Sequence, residues 1–176
     1  MNSTPAKPED FFSIATVHIR SWQAAYAEIL DPEYLASLSI ESRAARWESI
    51  LRANTSKALI SWQGTEVSGF VNFGKCRDAQ APEDRGEIYA LYVSPATWRR
   101  GIGRELLTQA ISELKALGFQ SVSLWVFTKN QRAINFYESF GFQSLPGSGK
   151  VLEIGGRQVE EVTYVRHDAS QETHPN

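Results

Sequence analysis

The chain has 176 residues, of which 42% are hydrophobic and 22% charged, and its formal net charge is −2. This length predicts one domain with a sizeable core, and the mildly negative charge argues against a nucleic-acid-binding protein, which usually needs a basic face. The single cysteine, Cys76, excludes an internal disulfide and a multi-cysteine zinc site, and we expect no other metal site.

The first third of the chain predicts helices. Apolar residues such as Ile14 and Trp22 recur at three- and four-residue spacing, which is typical of one buried helical stripe. Asp31 before Pro32 has the pattern of an N-cap followed by proline at the first helical position. The predicted elements are at most a short strand in residues 1–8, then helices at about 9–27, 32–38 and 40–52.

The remainder predicts strands alternating with helices. Turn residues bound each β-branched or aromatic run, and Gly118 and Gly141 close the two helices. This order favours a mixed α/β sheet with antiparallel flanks and a parallel or splayed centre. The predicted strands are 58–62, 67–73, 87–93, 121–127, 149–154 and 157–166; the helices are 101–117 and 130–140; residues 1–166 form one domain and 167–176 a disordered tail.

A loop rich in glycine and arginine lies between the strand at 87–93 and the next helix. The first turn of a helix presents free N–H groups and a positive dipole end, so the stretch from Gly101 to Gly103 can hold a phosphate. Cations oppose the dipole at a helix start, and a bound anion would offset that cost. The arginines concerned are Arg99, Arg100 and Arg104.

Common phosphate-binding motifs do not fit this loop. A Walker loop is absent, and Leu106 stands where a dinucleotide fingerprint needs its third glycine, which argues against a nucleotide-binding oxidoreductase. The alternative is a plain loop-to-helix turn with solvated arginines.

Two segments together carry a family resemblance. The stretch 87–107 and the later stretch 130–142, which contains the run Asn135-Phe136-Tyr137, resemble the GNAT superfamily of acetyl-CoA-dependent N-acetyltransferases. The similarity covers about residues 58–145, and the helical entry at 18–38 also resembles members of that superfamily. Trp98 departs from the usual Gln or Arg at the start of the loop, which puts a side-chain role there in doubt but removes no backbone donor.

The resemblance implies a fold and a donor site. We expect a mixed, mostly antiparallel sheet with splayed central strands, flanked by helices, and acetyl-CoA as co-substrate. The pantetheine arm would lie between the strands at 87–93 and 121–127, and the N–H groups of residues 99–104, Ile102 among them, would hold the pyrophosphate. Asn130 would bind the far end of the pantetheine, or serve only as a helix N-cap. Main-chain groups expected on the pantetheine belong to Leu91, Tyr92 and Val93.

Amide formation from a thioester needs a base for the ammonium and an acid for the leaving thiolate. By resemblance these are Glu87 and Tyr137, and the Leu91 N–H would meet the oxyanion. Each has an alternative: Glu87 can be a surface or ion-paired glutamate, and Tyr137 a core aromatic residue.

Acceptor recognition is expected from aromatic residues outside the shared motifs. The candidates are Trp22, Tyr26, Tyr89 and Trp125, although aromatics at such spacing are more often core. The acceptor is predicted to be a small-molecule or peptide amine. The chain shows no signal-peptide pattern and no apolar run near the about 20 residues that span a bilayer, so we expect a cytoplasmic protein that binds neither membrane nor nucleic acid and can form a homodimer. The alternative function is a non-catalytic acyl-CoA-binding regulatory domain.

Overall fold

A computed structural model describes residues 3–167 of the chain as eight strands and five α-helices. No helix among these residues is long and apolar enough to cross a membrane. The strands are β1 (Ser3–Pro5), β2 (Lys57–Gln63), β3 (Glu66–Lys75), β4 (Arg85–Val93), β5 (Ser121–Phe127), β6 (Gln143–Ser144), β7 (Lys150–Ile154) and β8 (Arg157–His167). The helices are α1 (Phe11–Ala25), α2 (Pro32–Ser37), α3 (Ile40–Ala53), α4 (Ile102–Ala116) and α5 (Gln131–Glu138).

All eight strands form one sheet in the order β1-β2-β3-β4-β5-β8-β6, with β7 paired to β8. Every pairing is antiparallel except that of β4 with β5, which is parallel. The helix α4 connects these two strands, as a parallel pair requires a crossover. The predicted fold class, a mixed and mostly antiparallel sheet flanked by helices, is confirmed.

Helices cover both faces of the sheet. Buried residues of α1 and α3, such as Ile14 and Trp47, pack with Phe70 of β3 on one face. The apolar stripe of α4 packs with β2 to β5 on the other face, and Leu106 and Leu107 are fully buried there. Strands β3 and β5 are therefore largely removed from water, which stabilises the fold mainly through apolar burial.

The two central strands separate at a defined point. The β4–β5 ladder runs from Arg85↔Ser121 to Ile88↔Leu124, although β4 continues to Val93 and β5 to Phe127. On the other edge of β4 the register with β3 shifts by one residue at Tyr89, a β-bulge. A gap therefore opens in the middle of the sheet after Ile88 and Leu124.

The structure differs from the sequence prediction at several boundaries. The predicted helix 130–140 ends earlier, at Glu138, and the short strand β6 was not predicted. His167, expected in the disordered tail, is the last residue of β8. The predictions for residues 1–2 and 168–176 lie outside the described residues.

Candidate functional site

The gap between β4 and β5 is the floor of a large cleft of about 1210 Å³. Its lining comes from both faces of the sheet. Trp22 of α1 and Tyr26, the residue that follows α1, lie on one side, and Asn130 and Tyr137, at the two ends of α5, lie on the other. The cleft therefore passes through the sheet, so that two molecules entering from opposite faces can meet.

Backbone groups of β4 alternate between β3 and the gap. Gly69 pairs with Val93 across β3 and β4, and the Ser94 N–H donates to the Ser68 carbonyl at 2.8 Å. This makes Gly69 and Val93 a pair without mutual hydrogen bonds. The N–H and C=O groups of Leu91 and Val93 consequently face the gap, while those of Tyr92 face β3.

Tyr92 therefore contributes its side chain, not its main chain, to the cleft. Its ring stacks on His18 of α1 with centroids 4.6 Å apart, and it lines the face covered by α1. The carbonyl of Val93 already accepts from Ser21 Oγ at 2.8 Å and from Trp98 Nε1 at 2.7 Å, which leaves its N–H on the gap side. The Leu91 N–H and C=O and the Val93 N–H are thus the β4 groups turned toward the gap.

The N-terminus of α4 opens into the same cleft. The first helical hydrogen bond runs from the Glu105 N–H to the Gly101 carbonyl at 3.0 Å, so the preceding N–H groups have no helical acceptor. Arg99 and Gly101 have left-handed backbone angles, with φ of 63° and 82°, and the sharp turn aims these N–H groups outward. The groups that can receive an anion here belong to Ile102, Gly103 and Arg104.

The arginines of this loop divide into two groups. Arg99 and Arg104 line the cleft, whereas Arg100 is exposed and lies outside its lining. Arg132 of α5, which the sequence did not single out, also lines it: its guanidinium carbon lies 3.7 Å from the centroid of the Trp98 ring. Burial, with the nearby charge of Arg99, lowers the pKa of Arg132. Trp98, which stands where Gln or Arg is usual, thus packs its ring face against a cation.

Glu87 lies in the cleft but is held by Arg77. The Arg77 main-chain N–H donates to Oε2 at 2.8 Å, Nε lies 3.2 Å from both carboxylate oxygens, and Nη2 donates to Oε1. The Glu87 side chain is only 3% exposed. The pair raises the pKa of Arg77, whose guanidinium lies 4.4 Å from the centroid of the Tyr89 ring. This arrangement favours the ion-paired alternative considered for Glu87, although the carboxylate still borders the cleft.

Tyr137 and Asn130 occupy the two ends of α5. Asn130 Oδ1 accepts from the Ala133 N–H at 3.2 Å, so it is an N-cap that also lines the cleft. Tyr137 is half-buried between Phe136 and Phe142 and borders the cleft. Burial, with the neighbouring Tyr92, raises the pKa of Tyr137. Its phenol therefore stays protonated over the whole working range of pH.

The acceptor candidates gather on the face covered by α1 and α2. Tyr26 packs edge-on against Trp22, at 5.2 Å, and against Phe127, at 5.0 Å. Burial raises the pKa of Tyr26. All four predicted residues line the cleft, as do Lys150 and Glu161, which the sequence reading missed. The predicted acceptor residues are Trp22, Tyr26, Tyr89 and Trp125.

Strand alternation could have found Glu161. Val159 and Thr163 of β8 are buried, and Glu161 shares their face, opposite Phe127. Arg77 and Arg132 gave no such signal, since they lie in a polar loop and at an exposed helix start. In the part of the chain from residue 3 to 167, no group of three or more His, Cys, Asp and Glu is placed to hold a metal ion.

Comparisons with known proteins show the family to which the chain belongs. The model of the acetyltransferase (GNAT) family matches residues 22–142. The uncharacterised N-acetyltransferase YuaI of Bacillus subtilis (strain 168) is 34% identical over 157 residues, 89% of this chain and 87% of that protein. The spermidine N(1)-acetyltransferase of Thermoplasma acidophilum is 25% identical over 152 residues, 82% and 91% of the two chains.

Solved structures show the same fold. The acetyltransferase YncA of Salmonella typhimurium, determined with its cofactor acetyl-CoA, superposes with a TM-score of 0.73 at 22% identity and covers 100% of this chain and 98% of its own. The chain belongs to the GNAT family of acetyltransferases. The family model and the similarity to YuaI thus confirm the family and the class of enzyme predicted from the sequence, an N-acetyltransferase.

Proposed function

We propose that this enzyme moves the acetyl group of acetyl-CoA directly to a primary amine, with donor and acceptor bound together in the cleft. The observation that carries the proposal is the opening of the sheet after Ile88 and Leu124. On one face the gap opens to the free N–H groups at the start of α4 and to Tyr137. On the other face it opens to the four aromatic residues predicted to bind the acceptor, which we call the aromatic wall: Trp22, Tyr26, Tyr89 and Trp125. A thioester in the gap can thus be reached by an amine from the opposite face.

Main-chain groups would hold the donor. The Leu91 C=O and the Val93 N–H are available to the pantetheine amides, and the Leu91 N–H is the best candidate to receive the oxyanion. The N–H groups at the start of α4 would receive the pyrophosphate, with Arg99, Arg104 and Arg132 around them. Asn130 would contact the pantetheine while still capping α5.

The bond changes are simple to write. The acceptor first releases one ammonium proton to water and becomes a neutral amine. The amine nitrogen then attacks the thioester carbonyl, the C–N bond forms and the C–S bond breaks. Tyr137 donates a hydrogen bond, and finally a proton, to the departing sulfur. Glu87 accepts the proton that the nitrogen loses, directly or through water. Because the Arg77 guanidinium and main-chain N–H already bind the Glu87 carboxylate, we assign the transfer to the stage after C–N bonding has made the nitrogen acidic.

Glu87→Gln should lower kcat by about tenfold, at or below the low end for loss of a general base, with acetyl-CoA affinity changed less than threefold. Steady-state kinetics and calorimetry of the same preparation measure the two quantities. The matched control is Glu160→Gln on the exposed side of β8, which should leave both unchanged. Wild-type turnover in Glu87→Gln would remove this residue from proton transfer.

Gly103→Trp should raise the Kd for acetyl-CoA at least tenfold. A Cβ atom at this position would lie 3.6 Å from Phe136 Cζ and from Val93 Cγ2, two residues of the cleft lining. A bulky side chain would therefore fill the space that the pyrophosphate is proposed to occupy. Gly103→Ala is the graded control, because its single methyl group makes only ordinary contacts there and should leave the Kd within threefold. Calorimetric titration measures the Kd of both variants. A wild-type Kd for Gly103→Trp would contradict binding of the pyrophosphate at the start of α4.

The acceptor is a small-molecule or peptide amine. The aromatic wall and the carboxylates of the cleft support an amine with an apolar arm, and the relative from Thermoplasma acidophilum is named for a polyamine, spermidine. Release of the CoA thiol in the presence of a broad amine and peptide library tests the function. Binding of acetyl-CoA without thiol release in the presence of any amine would favour the alternative, a non-catalytic acyl-CoA-binding domain. The ion pair between Arg77 and Glu87 is the structural observation that favours this alternative. A cytoplasmic location and a homodimer stay predictions.

A further inference from the structure

The acceptor side of the cleft holds a primary ammonium that belongs to the protein itself. Lys150 Nζ lies 3.7 Å from the centroid of the Trp125 ring and 3.2 Å from Glu161 Oε1. An aromatic face together with a carboxylate is a recognised way to bind an alkylammonium ion. The three residues, which we name the Lys150 site, all border the cleft.

The sheet register places this site on the face that the acceptor would use. Trp125 pairs with Thr163, Phe127 with Glu161, and Glu161 with Lys150, across β5, β8 and β7. Because side chains on neighbouring strands at paired positions share a face, the site continues the wall that Phe127 forms with Tyr26. Burial is the main cause that raises the pKa of Tyr26 and of Tyr92, and the nearby charge of Glu161 adds to it in each.

The lysine is held less firmly than the comparable cation at the other carboxylate. Arg77 meets both oxygens of Glu87 with its guanidinium and its main-chain N–H. Within residues 3–167 Lys150 makes one ion-pair contact, and its side chain is 49% exposed while that of Glu161 is 15% exposed. Half-exposed ion pairs of this kind contribute little, so a competing ammonium can replace Lys150 at modest cost.

We infer that Trp125 and Glu161 form the binding site for the ammonium group of the acceptor amine, and that Lys150 occupies this site in the free enzyme. The acceptor class is a primary alkylammonium, bound in its charged form and in competition with the lysine. This inference rests on the proposed function for its biological meaning, but the binding itself can be measured without acetyl-CoA.

The test is calorimetric titration of n-pentylammonium in the absence of acetyl-CoA, with 1-pentanol as the neutral comparator. Lys150→Met removes the internal competitor and should tighten pentylammonium binding about fivefold. Glu161→Gln removes the carboxylate and should weaken it at least tenfold. Pentanol binding should change less than twofold in both variants, because only its apolar arm is recognised.

Matched controls use the same substitutions outside the cleft lining. Lys129→Met and Glu160→Gln change the net charge equally, at exposed positions, and should leave pentylammonium binding at the wild-type value. If Lys150→Met weakens the binding, or if either cleft variant behaves like its control, the inference is overturned. Should Glu161→Gln fail to fold, the sign of the Lys150→Met effect still decides.

Turnover separates this inference from the proposed function. With saturating amine and acetyl-CoA, thiol release by the wild type tests acetyl transfer, whatever the titrations give. Binding that shifts as expected, without thiol release from pentylamine or from any amine of the library, would leave the ammonium site standing and refute the function. Thiol release together with unshifted pentylammonium binding would support the proposed function and overturn the ammonium site.

Discussion

Tyr137→Phe is expected to lower kcat by about 10²-fold while the Kd for acetyl-CoA changes less than threefold. The phenol borders the cleft at the end of α5, where the departing sulfur of a donor in the gap would lie. Removing one hydroxyl leaves the ring and its contacts with Phe136 and Phe142 in place. The loss should therefore fall on the chemical step, which is the signature of an interaction made in the transition state.

Burial sets the size and the pH dependence of this effect. A raised pKa makes the Tyr137 phenol a weaker acid, so it stabilises the sulfur by hydrogen bonding before the proton moves, and we expect the lower end of the range for acid catalysis. A raised pKa also keeps the group protonated as the pH rises. The wild type should consequently show no loss of kcat from Tyr137 ionisation up to about pH 10, and the pH profiles of both proteins should share one shape.

Tyr164→Phe is the matched control for this experiment. Tyr164 is buried, donates to Glu138 Oε1 at 3.3 Å and lies outside the cleft lining. Its variant should lose some stability but keep kcat within threefold of the wild type. Stopped or continuous assay of thiol release at saturating substrates measures kcat, and titration measures the Kd. A Tyr137→Phe enzyme with wild-type kcat would exclude the acid role.

The part of the cleft at the start of α4, where we propose that acetyl-CoA binds, could be predicted from the sequence because its signals are local. A strand, a glycine turn and a helix start within about 20 residues fix free N–H groups whatever the rest of the chain does. Arg99, Gly101 and Gly103 line the cleft for this reason. Arg100 does not, since neighbouring side chains on a turn point in different directions, which composition alone cannot resolve.

The part of the cleft proposed for the acceptor depended on contacts that the folded chain creates. Arg77, in the loop that joins β3 to β4, contacts Glu87 of β4, and Lys150 contacts Trp125 across two strand pairings. No periodic pattern in the sequence predicts either contact. The β-bulge at Tyr89 likewise re-aims the following residues of β4, so that only the register shows that Tyr92 turns its side chain, and not its main chain, to the cleft.

His18 is expected to make the protein sensitive to acid in a defined window. It is 7% exposed, its Nδ1 accepts from Trp47 Nε1 at 3.1 Å, and its ring stacks on Tyr92. Because Nδ1 is an acceptor, Nε2 carries the proton of the neutral ring, and this buried group has no hydrogen-bond partner among the residues that the structure describes. Burial, with the charges of Arg43 and Arg46, lowers the pKa of His18 from 6.5 to about 3.

The sign of the effect follows from proton binding. Between pH 6.5 and 3 the unfolded chain binds a proton at His18 and the folded protein does not, so the free energy of unfolding falls as the pH falls. One such group changes it by about 1.4 kcal/mol per pH unit, or about 2.5 kcal/mol between pH 6.5 and 4.5. Above about pH 7.5 neither state is protonated at His18 to any large extent, and its contribution is constant.

His18→Asn should remove this part of the pH dependence. The amide oxygen can still accept from Trp47, but asparagine gains no proton, so urea unfolding of the variant should show a flatter pH dependence by about 2.5 kcal/mol over the same interval. Carboxylates titrate equally in both proteins and cancel in the difference. His167→Asn at the exposed end of β8 is the control and should follow the wild type. Parallel curves for His18→Asn and the wild type would show that the buried ring is not the acid-sensitive group.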